Sequence, residues 1–149
     1  MTSATLTSGL PDPQTQAQFY DGVLIKRALA WVVDVVLIAL LCVVILPFTA
    51  FTGVFFLPFL MLVVGFLYRW FTLAGKSATW GMRIMSIEFR DHRGGRFDSS
   101  AALLHTLGYS VSVAVAPLQL ISVIMMAVTA RGQGLTDHLM GTAPINRPV

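Results

Sequence analysis

The sequence predicts an all-α integral membrane protein: a small bundle of three transmembrane helices, or four if the last apolar stretch is a hairpin, with a short cytoplasmic β-hairpin between the second and third. Three observations predict it. The 149 residues fit one domain and are 56% hydrophobic and 11% charged, with a mean hydropathy of +0.76, far from an ordinary soluble domain. Between residues 28 and 68 the only charged residue is Asp34, and between 99 and 130 there is none, so neither stretch has the charged face of a surface helix. The basic residues gather at the ends of the apolar stretches, as the positive-inside rule requires of cytoplasmic segments.

Residues 1–19 form a polar tail rich in Thr, Ser, Gln and Pro, without the basic flank, short apolar run and cleavage site of a signal peptide. The tail reads as disordered, and the membrane domain runs from about 20 to 146. About 20 apolar residues cross a hydrocarbon core. The first stretch is long enough for two crossings, and Pro47, Thr49, Thr52 and Gly53 interrupt it, placing helices near 25–46 and 51–73. Cys42, the single cysteine, excludes an internal disulfide and reads as packing.

The loop at about 75–99 carries Lys76, Arg83, Arg90, Arg93 and Arg96, and Lys26 and Arg27 precede the first helix. The N-terminus and this loop are therefore expected in the cytoplasm. This placement also accounts for the net charge of +3 without nucleic-acid binding, and anionic lipid heads are a natural neighbour. From Arg83 to Arg90, Met85, Ile87 and Phe89 alternate with Ile84, Ser86 and Glu88, which argues for a strand. Residues 91–95 then turn, and Arg96 and Phe97 begin a returning strand.

The third stretch, 101–130, would extend about 45 Å as one helix, and Pro117 sits near its middle. It is either one kinked span or a tight pair of shorter helices. One crossing puts Asp137 on the side opposite Arg27; a pair or a re-entrant hairpin returns it to the same side. No sequence repeat or GxxxG motif is present, so nothing points to an inverted-repeat transporter within one chain.

Asp34 is the most informative residue. It follows Arg27 by two helical turns, so the two share a face about 10 Å apart. An aspartate inside a span costs about 2.5–3.5 kcal/mol on insertion scales unless paired, hydrated or protonated. It is either a proton- or ion-handling group or one half of a structural pair. Arg27 alone reads as a snorkelling anchor, and Asp137 alone as a turn or cap residue. His92, His105 and His138 lack metal-ligand spacing, and Ser110, Ser112 and Ser122 read as hydroxyls bonded back to their helix or across to a neighbour. Trp70 stands where a phosphate loop ending in Gly75-Lys76-Ser77 needs glycine. No acid, base and nucleophile set is recognisable, and neither an enzyme nor a cofactor is expected.

Arg27-Ala28-Leu29-Ala30-Trp31-Val32-Val33-Asp34 resembles the signature of the RDD family of membrane proteins, named for an arginine and two aspartates. Thr79-Trp80-Gly81-Met82-Arg83-Ile84 is similar to the family's segment after its second helix, and Gly94-Gly95 to its turn glycines. Gly132-Gln133-Gly134-Leu135-Thr136-Asp137-His138-Leu139-Met140-Gly141-Thr142 is similar to its closing motif. Ser86 stands where the family often has glycine, and Thr136 where histidine is common. The resemblance implies that Asp137 is the second aspartate and that Arg27, Asp34 and Asp137 form a polar cluster in a bacterial inner-membrane protein that exchanges cations for protons. The other reading is a non-transporting accessory subunit, using the hairpin and apolar helix faces to bind another membrane protein. A chain of this size is also a candidate homo-oligomer.

Overall fold

The computed structural model describes residues 9–147. Helix α1 (Val23–Ile45) and helix α2 (Leu57–Lys76) come first; α3 (Trp80–Ile84) and strand β1 (Ile87–Arg90) follow, then α4 (Ser99–Ala114), α5 (Ala116–Val128), α6 (Leu135–Met140) and strand β2 (Ala143–Asn146). The helical stretches Ala17–Thr49 and Thr52–Lys76 are long and apolar enough to cross a membrane. Leu40, Val43, Val44, Phe55 and Phe59 lie exposed on them, an outward apolar surface suited to lipid.

The second helical stretch begins close to where composition predicts, at Thr52, but its first turn is not α-helical. Residues 52–56 form a 3-10 turn entered through Ala50 and Phe51 in the left-handed region. The α-helix starts at Leu57, with Pro58 in its first turn, where a missing N–H costs nothing.

The third apolar stretch folds as a bent pair. Helices α4 and α5 meet at 117° across Val115, whose backbone is extended, and Pro117 occupies the first turn of α5. The chain therefore turns back, bringing α6 against α4 and α5 and Asp137 to the end of α1 that carries Arg27.

The hairpin expected in the loop is corrected. Arg83 and Ile84 belong to α3, β1 is only four residues long, and its partner is not Arg96-Phe97 but the distant β2. The pairing is antiparallel, from Ile87 opposite Asn146 to Arg90 opposite Ala143. Residues 91–97 cannot return alongside β1, because Asp91 closes them into a turn and accepts from the Arg93 and Gly95 N–H groups. The Phe97 N–H then donates to Ser77 Oγ. Ser77 also occupies the free edge of β1, where its carbonyl accepts from Phe89 N and its hydroxyl donates to Phe89 O. Glu88, expected on the face opposite Ile87 and Phe89, is fully buried and surrounded by Arg90, Arg96 and Arg147.

The backbone at Ser86 is one that suits glycine. Its φ is +59°, a left-handed conformation that costs an L-residue roughly 1–2 kcal/mol. Ser86→Gly should stabilise the protein by about 0.5 kcal/mol, the relief less the extra chain entropy of the unfolded state. Equilibrium unfolding in mixed micelles checks this; a loss of stability would mean that the side chain does more than tolerate the turn.

The tail read as disordered is placed from Gly9 onward; residues 1–8 lie outside the described range. Gly9 N donates to His92 O, Leu10 is buried, and the Tyr20 hydroxyl donates to Pro11 O. Gln18 and Asp21 carbonyls accept from the Asn146 amide, and Lys26 Nζ donates to its oxygen. The ends of the described chain are thus tied together.

Buried packing is concentrated where the start of α1, the end of α2, α3, β1 and the start of α4 converge, around Val23, Leu73, Met82, Phe89, Phe97 and Ala102. One end of the bundle is packed as in a soluble protein, and the rest turns its apolar surface outward.

Candidate functional site

The packed end fixes two carboxylates. Asp34 arrives on α1 and is 5% exposed. One oxygen accepts from the Tyr68 hydroxyl of α2 at 2.6 Å and from the Gly81 N–H at 2.9 Å, and the other accepts from the Thr79 hydroxyl at 2.6 Å. Thr79 is also the N-cap of α3 and accepts from Met82 N, the usual use of a threonine at a helix start. Gly81 lets α3 lie against α1: a Cβ there would stand 2.2 Å from the Ala30 carbonyl oxygen. Asp34 therefore joins α1, α2 and α3 through three donors and, among the described residues, without an ion pair.

Asp137 is 1% exposed in the first turn of α6. One oxygen accepts from Arg27 at 2.9 Å and from the Gly134 N–H at 3.1 Å. The other accepts from the Thr142 hydroxyl at 2.9 Å and lies 2.8 Å from His105 Nε2. His105 Nδ1 is buried without a partner, so the network assigns the ring proton to Nε2, which donates to the carboxylate. Burial works to raise the Asp137 pKa, but the Arg27 guanidinium, the His105 hydrogen bond and the Gly134 N–H outweigh it and hold the carboxyl well below its ordinary range. Arg27 also donates to Gly132 O and lies over the Phe89 ring, contacts a snorkelling anchor would lack.

The three residues singled out in the sequence thus occupy two centres. Arg27 and Asp137 form an ion pair, and Asp34 is held apart in its own nest. A cavity of about 510 Å³ lies between them, bordered by Arg27, Asp34, Arg69, Tyr109 and Gln119, with apolar walls from α1 and α5. A polar recess of about 20 Å³ beside Arg27, His105 and Asp137 is large enough for one water.

Arg69, Tyr68, Thr79 and His105 were not singled out for these roles. Arg69 carried a readable signal as the only charged residue between Phe51 and Leu73, inside a stretch expected to be lipid-facing. Tyr68 and Thr79 carried none, since a hydroxyl beside an apolar run says nothing about which helix it will meet. Ser110 and Ser112 bond back to their own helix, whereas Ser122 reaches across to accept from Leu135 N. Among the described residues no His, Cys, Asp and Glu group is arranged to hold a metal ion.

No curated protein and no solved structure matches the chain. The RDD family model matches residues 22–141, a span that includes Arg27, Asp34 and Asp137, the whole nest around Asp34, and every group that holds Asp137 except Thr142. Together with the apolar helices, this marks the chain as a small membrane protein, and it belongs to the RDD family.

Proposed function

We propose that this is a small transport protein of the bacterial cytoplasmic membrane, multi-pass with its N-terminus and basic loop inside, that moves a solute through the cavity between α1, α2, α4 and α5 in exchange with protons. The observation that carries this reading is the cavity of about 510 Å³ bordered by Arg27, Asp34 and Arg69. Ionisable side chains within spans are costly and typically mark solute or proton paths, and the volume falls among those of small-molecule sites. Asp34 is the proton-handling candidate.

Cation-for-proton exchange is the form that family resemblance implies, and the first test is dissipation of a proton gradient in everted vesicles on adding Na⁺, K⁺ or Li⁺. Wild type should respond and Asp34→Asn should lose at least nine-tenths of the response. Signals equal to those of empty membranes would reject cation exchange, and an unimpaired Asp34→Asn would make that nest structural.

A second reading, an accessory subunit, is supported by Ile84 and Leu139, which are 64% and 81% exposed on α3 and α6, outside the long spans. Crosslinking in native membranes should then capture a stoichiometric partner that Ile84→Ser and Leu139→Ser release. Recovery of homo-oligomers alone would count against it.

A further inference from the structure

We propose that the cavity between α1, α2, α4 and α5 binds an amphipathic anion, its acid group facing Arg69 and Arg27 and its apolar tail lying along α1 and α5. The inference rests on reading this cavity as a binding chamber and names a class of ligand that its arginines would hold.

Arg69 is the observation that requires a ligand. It lies two helical turns before Lys76 at the end of α2, about 10 Å in along the axis. Among the described residues no carboxylate makes an ion pair with it, no hydrogen-bond acceptor takes any of its N–H groups, and its Nε is buried without a partner. Its guanidinium carbon lies 4.0 Å from the centre of the Tyr109 ring, and Asp34 and Asp137 attract it only from beyond ion-pair distance. Cation–π contact offsets only a small part of what a guanidinium loses on leaving water. A bound anion would supply the missing charge and acceptors, and arginine's planar set of donors suits a carboxylate or phosphate in particular.

The neighbouring groups favour an anion over a cation. Both oxygens of Asp34, the cavity's one acidic residue, are engaged by Tyr68, Thr79 and Gly81. Arg27, whose Nη1 is already engaged by Asp137 and the Gly132 carbonyl, adds a second guanidinium to the lining. Tyr109 accepts from Trp31 Nε1 at 2.8 Å, leaving its own hydroxyl proton free to donate. Beyond these groups the wall is apolar, with Leu24, Ala28, Trp31, Val32, Val123 and Met126. Such a wall holds a hydrocarbon tail. A polar end and an apolar body together select an amphiphile, whether a free fatty acid or the acidic head and proximal chain of a membrane lipid.

The test is saturable binding of radiolabelled decanoate to the full chain in phosphatidylcholine nanodiscs, with competition read on the wild type. Decyl phosphate should compete, whereas decanol and decyltrimethylammonium should be at least tenfold weaker. Arg69→Gln should weaken decanoate binding at least tenfold with unchanged helicity, and Arg69→Lys should restore most of it. Displacement of decanoate when phosphatidylglycerol is added to the discs would assign the site to lipid; undisturbed binding would assign it to the free amphiphile, and both support the proposal. Equal competition by decanol, preference for the cationic amphiphile, or no saturable binding overturns it. These results leave the transport reading standing if the vesicles still respond to Na⁺, K⁺ or Li⁺ through Asp34, whereas decanoate binding without that response would sink cation exchange and keep the anion site.

Discussion

Asp137→Ala should lower the unfolding free energy by about 3–5 kcal/mol, the range for breaking a buried ion pair by removing one partner. The loss is large because four groups depend on one carboxylate. Arg27, with 13% of its side chain exposed, would keep its charge without a counter-ion, and His105 Nε2, the Thr142 hydroxyl and the Gly134 N–H would lose their acceptor. Asp137→Asn should cost nearly as much, since its single carbonyl oxygen cannot serve donors on both sides. Adding Arg27→Gln should recover part of the loss by removing the orphaned charge, so the double variant should be more stable than the sum of the singles. Equilibrium unfolding in mixed micelles measures all three, and strict additivity would show that Arg27 and Asp137 are not coupled.

The same residue sets an acid limit. The folded pKa of Asp137 lies below its ordinary value of 3.8, so near that pH the unfolded chain binds the proton and the folded one does not. The stabilisation is therefore fully present above about pH 5 and declines as the pH falls through about 4 toward the folded pKa. Asp137→Ala should lose this part of the wild type's acid dependence, and parallel wild-type and variant curves would show that the carboxyl is not depressed.

What could be read in the sequence was what one segment reveals by itself. The apolar runs, the break at Pro47, and Asp34 as the odd charge within a span needed no partner to be recognised. For the third run, Pro117 left two foldings open, because a proline marks where a helix can break without fixing how far the chain turns. The 117° bend depends on contacts that sequence spacing does not display, among them Ser122 accepting from Leu135 and Gly108 admitting Thr136 of α6. The hairpin failed for the same reason. Alternation identified Ile87–Arg90 as strand-forming, but the strand's partner lies more than fifty residues away in β2, and a nearby glycine turn was the better local candidate. Arg27, Asp34 and Asp137 were visible through resemblance, yet their division into two centres depends on Tyr68, Thr79 and His105, whose side chains are unremarkable until three helices meet.

Gly81→Ala should be among the most damaging single-methyl changes available to this chain, at about 3 kcal/mol or more, the upper end for overpacking. The added Cβ would lie 2.2 Å from the Ala30 carbonyl oxygen and 2.8 Å from Asp34 Oδ1. Neither atom can yield cheaply: Ala30 is backbone in the middle of α1, and Asp34 is fixed by three donors. Helix α3 would have to move away from α1, and that movement carries Thr79 and the Gly81 N–H with it, removing two of the three hydrogen bonds to a buried carboxylate. A bulkier residue adds a second penalty to the first, which separates this site from an ordinary tight contact. The matching control is Gly75→Ala, where a Cβ meets nothing within 4 Å on α2; there the substitution should be neutral or stabilise by up to about 1 kcal/mol through helix propensity. Comparing the two variants by unfolding in mixed micelles isolates position from chemistry. If Gly81→Ala were tolerated as well as Gly75→Ala, α3 would not be seated on α1 and the Asp34 nest would have to be redrawn.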